Sequence, residues 1–120
     1  MPKPHKEDAL ADIYKSAEAA VRYVAGVTYE QFLTDEVLQD ALIRRLEIIG
    51  EATKRYSQFA PGIRAAHPEI PWRDMAGMRD VLIHCYDVVD LDEVWKAVTE
   101  VIPAILPHLH ALCISDEPHG

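Results

Sequence analysis

Apolar residues recur every three or four positions almost from end to end of this chain. That spacing restricts it to packed helices. Leu10, Ile13, Tyr14, Ala17, Val21 and Val24 put one apolar face on a helix expected over about residues 7–25, with Gly26 placed to end it. Residues 28–32 read as a short connection with room for a turn of helix. A second helix is expected over about residues 35–58, with Val37, Leu38, Ala41, Leu42, Ile48, Ile49 and Ala52 as its apolar stripe. Gly50 inside it costs about 1 kcal/mol relative to alanine, which close approach of another helix would explain. Pro61-Gly62 breaks the pattern, and His67-Pro68-Glu69-Ile70-Pro71 reads as a rigid, extended connector. A third helix is expected over about residues 72–85. Its apolar residues, from Trp72 and Met75 to Ile83 and Cys85, surround it almost completely, as in a central or partner-buried helix. After a turn at residues 87–90, Leu91 or Asp92 opens a last helix running to about Cys113. Asp92 and Glu93 suit its positive end, and Pro103 and Pro107 are expected to bend or split it. No strand pattern or repeat appears. The expected fold is all-α, an antiparallel bundle of four to five helices. It forms one domain over residues 1–120, with its core at about 7–113 and a loose tail at 115–120.

The chain has 120 residues and a formal net charge of -8, which opposes non-specific binding of nucleic acid by the whole surface. The imbalance is local: residues 1–40 carry a net -4, residues 81–120 a net -6, and residues 41–80 a net +2. Any anion site should therefore draw on the middle third, although helix-surface pairs such as Glu51/Arg55 account for many of its charges. Two cysteines, Cys85 and Cys113, make no disulfide framework, and the N-terminus has no apolar leader core. No stretch approaches the roughly 18 apolar residues of a membrane span. The expectation is a cytoplasmic protein without a membrane association. No metal and no cofactor are expected. There is no Glu-x-x-His pair, and His108 and His110, two apart on a helix, point in different directions.

The candidate chemistry lies in Arg79-Asp80-Val81-Leu82-Ile83-His84-Cys85-Tyr86, where a permanent cation, an imidazole and a phenol interrupt an apolar segment. Burying arginine there is unfavourable unless something pairs with it. Its guanidinium fork suits phosphate, and histidine moves protons near neutral pH. Asp80 and His84 stand four apart, so on a helix the carboxylate can accept from the imidazole and fix its tautomer. Arg79 and His84 stand five apart, about 140° around an ideal helix. They converge if the helix unwinds near His84, if the long arginine reaches around, or if a second copy supplies the partner across a dimer axis. Such a set can cleave RNA without a metal. His84 would take a proton from a ribose 2′-hydroxyl or give one to the leaving oxygen, Arg79 would hold the phosphate, and Tyr86 would contact a phosphate or a base. A structural ion pair and a hydrogen-bonded interior histidine give the same composition.

Arg79-x-x-x-x-His84-x-Tyr86, with polar Asp80 after the arginine, resembles the HEPN ribonuclease motif and, more specifically, the HepT toxin family. Leu46-Glu47-Ile48-Ile49-Gly50-Glu51-Ala52, His67-Pro68-Glu69-Ile70-Pro71-Trp72, Gly77-Met78-Arg79, and Val89-Asp90 followed by Val94-Trp95 extend the resemblance over about residues 10–110. It implies an all-α bundle that forms a homodimer, pairing two active-site helices across the axis. It implies an endoribonuclease with RNA rather than DNA as substrate, Arg79 and His84 as catalytic residues and Asp80 in support. The setting it implies is a toxin–antitoxin system. There the partner is a minimal nucleotidyltransferase antitoxin of the MntA type, which attaches AMP to the motif tyrosine, here Tyr86. Added bulk and negative charge beside Arg79 would fill the site. The position after the arginine is often asparagine in that family. Asp80 either repels RNA there or supports His84. The alternative to an enzyme is a non-catalytic helical dimer that binds the nucleotidyltransferase.

Overall fold

The computed structural model describes residues 6–78 and 89–115. All regular structure among them is helical: α1 (Lys6–Tyr23), α2 (Tyr29–Leu33), α3 (Glu36–Phe59), α4 (Ile63–Ala66), α5 (Trp72–Ala76), α6 (Leu91–Lys96), a π-helical turn (Ala97–Val101) and α7 (Ile102–Ser115).

Helix α1 turns its small residues Ala9, Ala17 and Ala20 inward with Leu10 and Ile13, all buried, so α3 can pack closely. The two run antiparallel. Arg55, late in α3, bonds Asp12, early in α1, at 2.9 Å. Arg45 donates to the hydroxyl of Tyr23, at the end of α1, at 3.2 Å. Arg55 thus bonds across the helix pair to Asp12 rather than along its own helix to Glu51. Helix α1 ends two residues short of expectation, and Gly26 then adopts a left-handed φ of 75° in the turn that follows.

Residues 28–32, read as a connection with room for a turn of helix, hold one: Thr28 caps helix α2. The Thr28 hydroxyl accepts from the Gln31 amide at 3.1 Å, and the Gln31 side chain accepts from the Thr28 amide at 2.9 Å. This is a capping box, which satisfies two otherwise orphaned N–H groups. Asp35 caps α3 in the same way, accepting from the Leu38 amide. The stripe of α3 differs in part from the expected one. Leu42, Leu46, Ile49, Ala52 and Tyr56 are buried, whereas Val37 is 80% exposed.

The connector at 67–71 is a compact turn rather than an extended strap. The Ile70 amide donates to the His67 carbonyl at 3.2 Å, and the Trp72 indole donates to the same oxygen at 2.9 Å. Ile70 is buried beneath it. Trp72 then opens α5 against Tyr56, ring centroids 6.0 Å apart. From there the chain runs antiparallel to α3, towards Leu46, which shares a cavity with Gly77 and Met78.

Asp90 caps α6 by accepting from the Glu93 amide. Of the bend or split expected at the prolines, the split does not occur. Helix continues from Leu91 to Ile114, with the π-turn immediately ahead of Pro103. There the Ile102 amide reaches back five residues to the Ala97 carbonyl, shifting the hydrogen-bond register just before a residue that has no N–H to donate. Both prolines lie on the exposed face, while Val98, Ile102, Ile105 and Leu109 enter the core. Because the prolines leave the helix unbroken, the 24-residue helix holds an 18-residue window of mean hydropathy 1.5. By length and composition alone it is long and apolar enough to cross a membrane, where the sequence reading found no such stretch; its buried face serves the bundle core. Trp95 packs on Phe32 at 5.0 Å, and His110 lies 5.8 Å from the Tyr14 ring. This long helix is therefore antiparallel to α1, and the order is up-down-up-down.

Candidate functional site

Arg79, Asp80, His84 and Tyr86 lie outside the described residues, as do residues 87 and 88 of the expected turn. The described chain stops at Met78 and resumes at Val89. Met78 is buried, and Val89 packs on the core. A cavity of about 350 Å³ adjoins this junction, between α3, α5, α6 and the π-turn. Its apolar wall is Leu46 of α3, Met78 after α5, and Ala97 and Val101 of the π-turn. Its charged rim is Arg73 and Asp74 of α5 and Glu93 of α6. All three are exposed, and among the described residues Arg73 makes no ion pair. Gly77 completes the lining.

The local sequence explains this arrangement. In α5, Trp72, Met75 and Ala76 turn to the core, which leaves Arg73 and Asp74 on the opposite side. In α6, Val94 is buried and Glu93, one residue earlier, points out into the opening. The wide turn at Ala97–Val101 contributes two small or medium apolar side chains to the wall. Single π-turns of this kind are rare and frequent at functional sites. Arg73 and Asp74 were not singled out from the sequence, although they are the one polar pair between Ile70 and Arg79.

A second group of titratable side chains lies at the far end of the bundle. His67 Nδ1 is 3.2 Å from Glu69 Oε1. A backbone hydrogen bond holds the Glu69 carboxyl below its ordinary range; desolvation opposes it, and the hydrogen bond and charge of His67 and the charge of His108 add to the lowering. His108 thus lies near Glu69 while His110 stacks on Tyr14, so the two do point apart. Among the described residues no three His, Cys, Asp or Glu side chains are grouped to hold a metal ion.

The family model described as "Ribonuclease HepT-like" matches residues 13–112. The chain belongs to the HepT-like ribonuclease family. It is 46% identical over 105 residues to a protein of Thermococcus cleftensis named "Probable ribonuclease HepT", covering 88% of this chain and 92% of that one. It is 38% identical over 104 residues to a protein of Caldanaerobacter subterraneus subsp. tengcongensis named "Putative RNase TTE0752", covering 87% of each. A protein of Methanocaldococcus jannaschii named "Putative RNase MJ1380" is 36% identical over 96 residues, covering 80% of this chain and 85% of that one. No solved structure matches the chain. The matched residues 13–112 include positions 79–86 and every described residue lining the cavity.

Proposed function

We propose that this HepT-like protein is a metal-independent endoribonuclease whose catalytic residues are Arg79 and His84. One observation carries the reading: the residues matched by the HepT-like family, 13–112, include positions 79–86, where the sequence reads Arg79-x-x-x-x-His84-x-Tyr86. His84 removes the proton of a ribose 2′-hydroxyl, and that oxygen bonds to the adjacent phosphorus. The bond from phosphorus to the 5′-oxygen breaks, leaving a 2′,3′-cyclic phosphate. A proton from a second imidazole, supplied by the other copy of a homodimer, completes the 5′-hydroxyl of the leaving strand. Arg79 stabilises the charge that develops on the phosphate oxygens. Asp80 supports His84 by accepting from its ring. This reading assigns the protein to the cytoplasm. The test is end-group analysis by mass spectrometry of RNA incubated with the purified protein in excess EDTA. Fragments ending in 2′,3′-cyclic phosphate and starting in 5′-hydroxyl are expected; intact RNA would favour the non-catalytic module.

The protein acts as the toxin of a toxin–antitoxin pair, with an MntA-type nucleotidyltransferase as antitoxin. That partner transfers AMP from ATP to Tyr86: the phenol oxygen bonds to the α-phosphorus and pyrophosphate leaves. The added phosphate satisfies Arg79 and blocks the site. The intact mass should rise by one AMP per chain after incubation with the antitoxin and ATP, and Tyr86→Phe should show no rise. The same rise on the variant would remove Tyr86 from this role.

A further inference from the structure

The cavity beside Met78 differs chemically from a phosphate site. Among its described lining residues the wall is apolar, from Leu46, Met78, Ala97 and Val101, and two of the three charged groups are carboxylates. Carboxylates repel phosphate, so these two do not hold the backbone of RNA. They are acceptor-only groups, however, and pair with the donor-bearing edge of a base. A volume of about 350 Å³ is at the small end of ligand pockets, the scale of a single nucleotide unit. Glu93 and Asp74 stand in the first turns of α6 and α5, on the two segments that flank the 79–88 interval. The π-turn provides Ala97 and Val101 at the same wall.

We propose that this cavity is a base-recognition pocket that takes one guanine of a single-stranded RNA, held against the apolar wall by its face and read by Asp74 and Glu93. The proposal rests on the ribonuclease reading. Guanine presents two neighbouring donors, N1–H and N2–H, to a carboxylate. Uracil presents one donor between two carbonyl oxygens, and adenine and cytosine each pair an amino donor with an adjacent ring acceptor that a carboxylate repels. Arg73 on the rim binds the phosphate next to that base, which gives a protein of net charge -8 a local cation where the strand enters.

The experiment is fluorescence anisotropy of the intact protein with labelled, fully 2′-O-methylated tetranucleotides, which lack the attacking hydroxyl and stay uncut. UUGU should bind about tenfold tighter than UUUU, the lower range for one bidentate base contact, and inosine at the third position should fall between them because it lacks N2. Glu93→Gln and Asp74→Asn should each remove most of that preference while leaving UUUU binding within about twofold. Arg73→Ala should weaken all three alike. Both carboxylate changes are exposed and nearly isosteric, and unchanged circular dichroism would confirm that each variant folds. Equal affinity for the three strands, no binding of any, or a guanine preference that survives both substitutions would overturn the proposal. Cleavage of unmethylated RNA is scored separately. Cutting without guanine preference sinks the pocket alone, whereas guanine-selective binding without cutting sinks the ribonuclease reading alone.

Discussion

At the scale of single residues, the described part of the molecule separates groups that hold the bundle from groups available for chemistry. Thr53 is buried, and its hydroxyl donates to the Ile49 carbonyl at 2.6 Å within its own helix, so it stays satisfied in the core. Arg73, Asp74 and Glu93 face an opening instead. Glu69 carries a pH prediction. Its folded-state pKa lies below the ordinary 4.5, so its carboxylate stabilises the fold above that value and the contribution disappears as pH falls through the lower folded value. Glu69→Gln should therefore lower Tm at pH 7 by a small amount. The gap between variant and parent should close at strongly acidic pH, as followed by thermal melts across a pH series. A gap that is constant or widens in acid would contradict the assignment. The proposed motif residues stand out in the sequence because Arg79, His84 and Tyr86 interrupt an apolar run. The cavity residues were not, because Asp74 and Glu93 look like ordinary acids in the first turn of a helix.

At the scale of elements, the caps and the breaks decide the outline. The Thr28 box was present in the sequence as Thr-x-x-Gln, yet five residues are too few for periodicity to reveal a helix. Helix α2 matters beyond its length. Buried Phe32 and half-buried Tyr29 pack on Trp95, the Tyr29 hydroxyl donates to the Asp92 carboxylate, and the Gln39 side chain donates to the Phe32 carbonyl at 2.9 Å. Thr28→Ala should destabilise the protein by about 1 kcal/mol, measured by urea unfolding, through loss of the cap. An unchanged midpoint would show that α2 is held by its aromatic contacts alone. Val37 was misplaced on the α3 stripe for a tertiary reason. Helix α1 ends at Tyr23 beside Arg45, so the first turns of α3 project about 12 Å beyond it and have no α1 surface to meet. Conversely Tyr56 is buried because the turn at 67–71 brings Trp72 over it, a contact between residues 16 apart that no local pattern encodes. The prolines of α7 illustrate the same limit, since the π-turn accommodates what a regular helix would not.

At the scale of the whole molecule, four helical segments in up-down-up-down order leave a cavity beside Met78, lined from α3, α5, α6 and the π-turn. The fold class was legible because apolar spacing of three and four leaves few alternatives to a bundle. The proposed dimer and active cleft depend on a second chain and on residues 79–88, and neither follows from the periodicity of one chain. Ile49, fully buried between the packed helices, tests the integrity of the core: Ile49→Ala should destabilise by about 2–5 kcal/mol in the same unfolding assay. The account as a whole rests on Arg79 and His84 as the chemical pair, and the rate of RNA cleavage is its most direct measure. Wild type, Arg79→Ala and His84→Ala are compared in EDTA on one labelled single-stranded RNA, with circular dichroism confirming equal helicity. Both variants should cleave at least about 10²-fold more slowly than wild type while keeping the fold. Cleavage by His84→Ala at the wild-type rate, or no cleavage by unmodified wild type, would contradict the account.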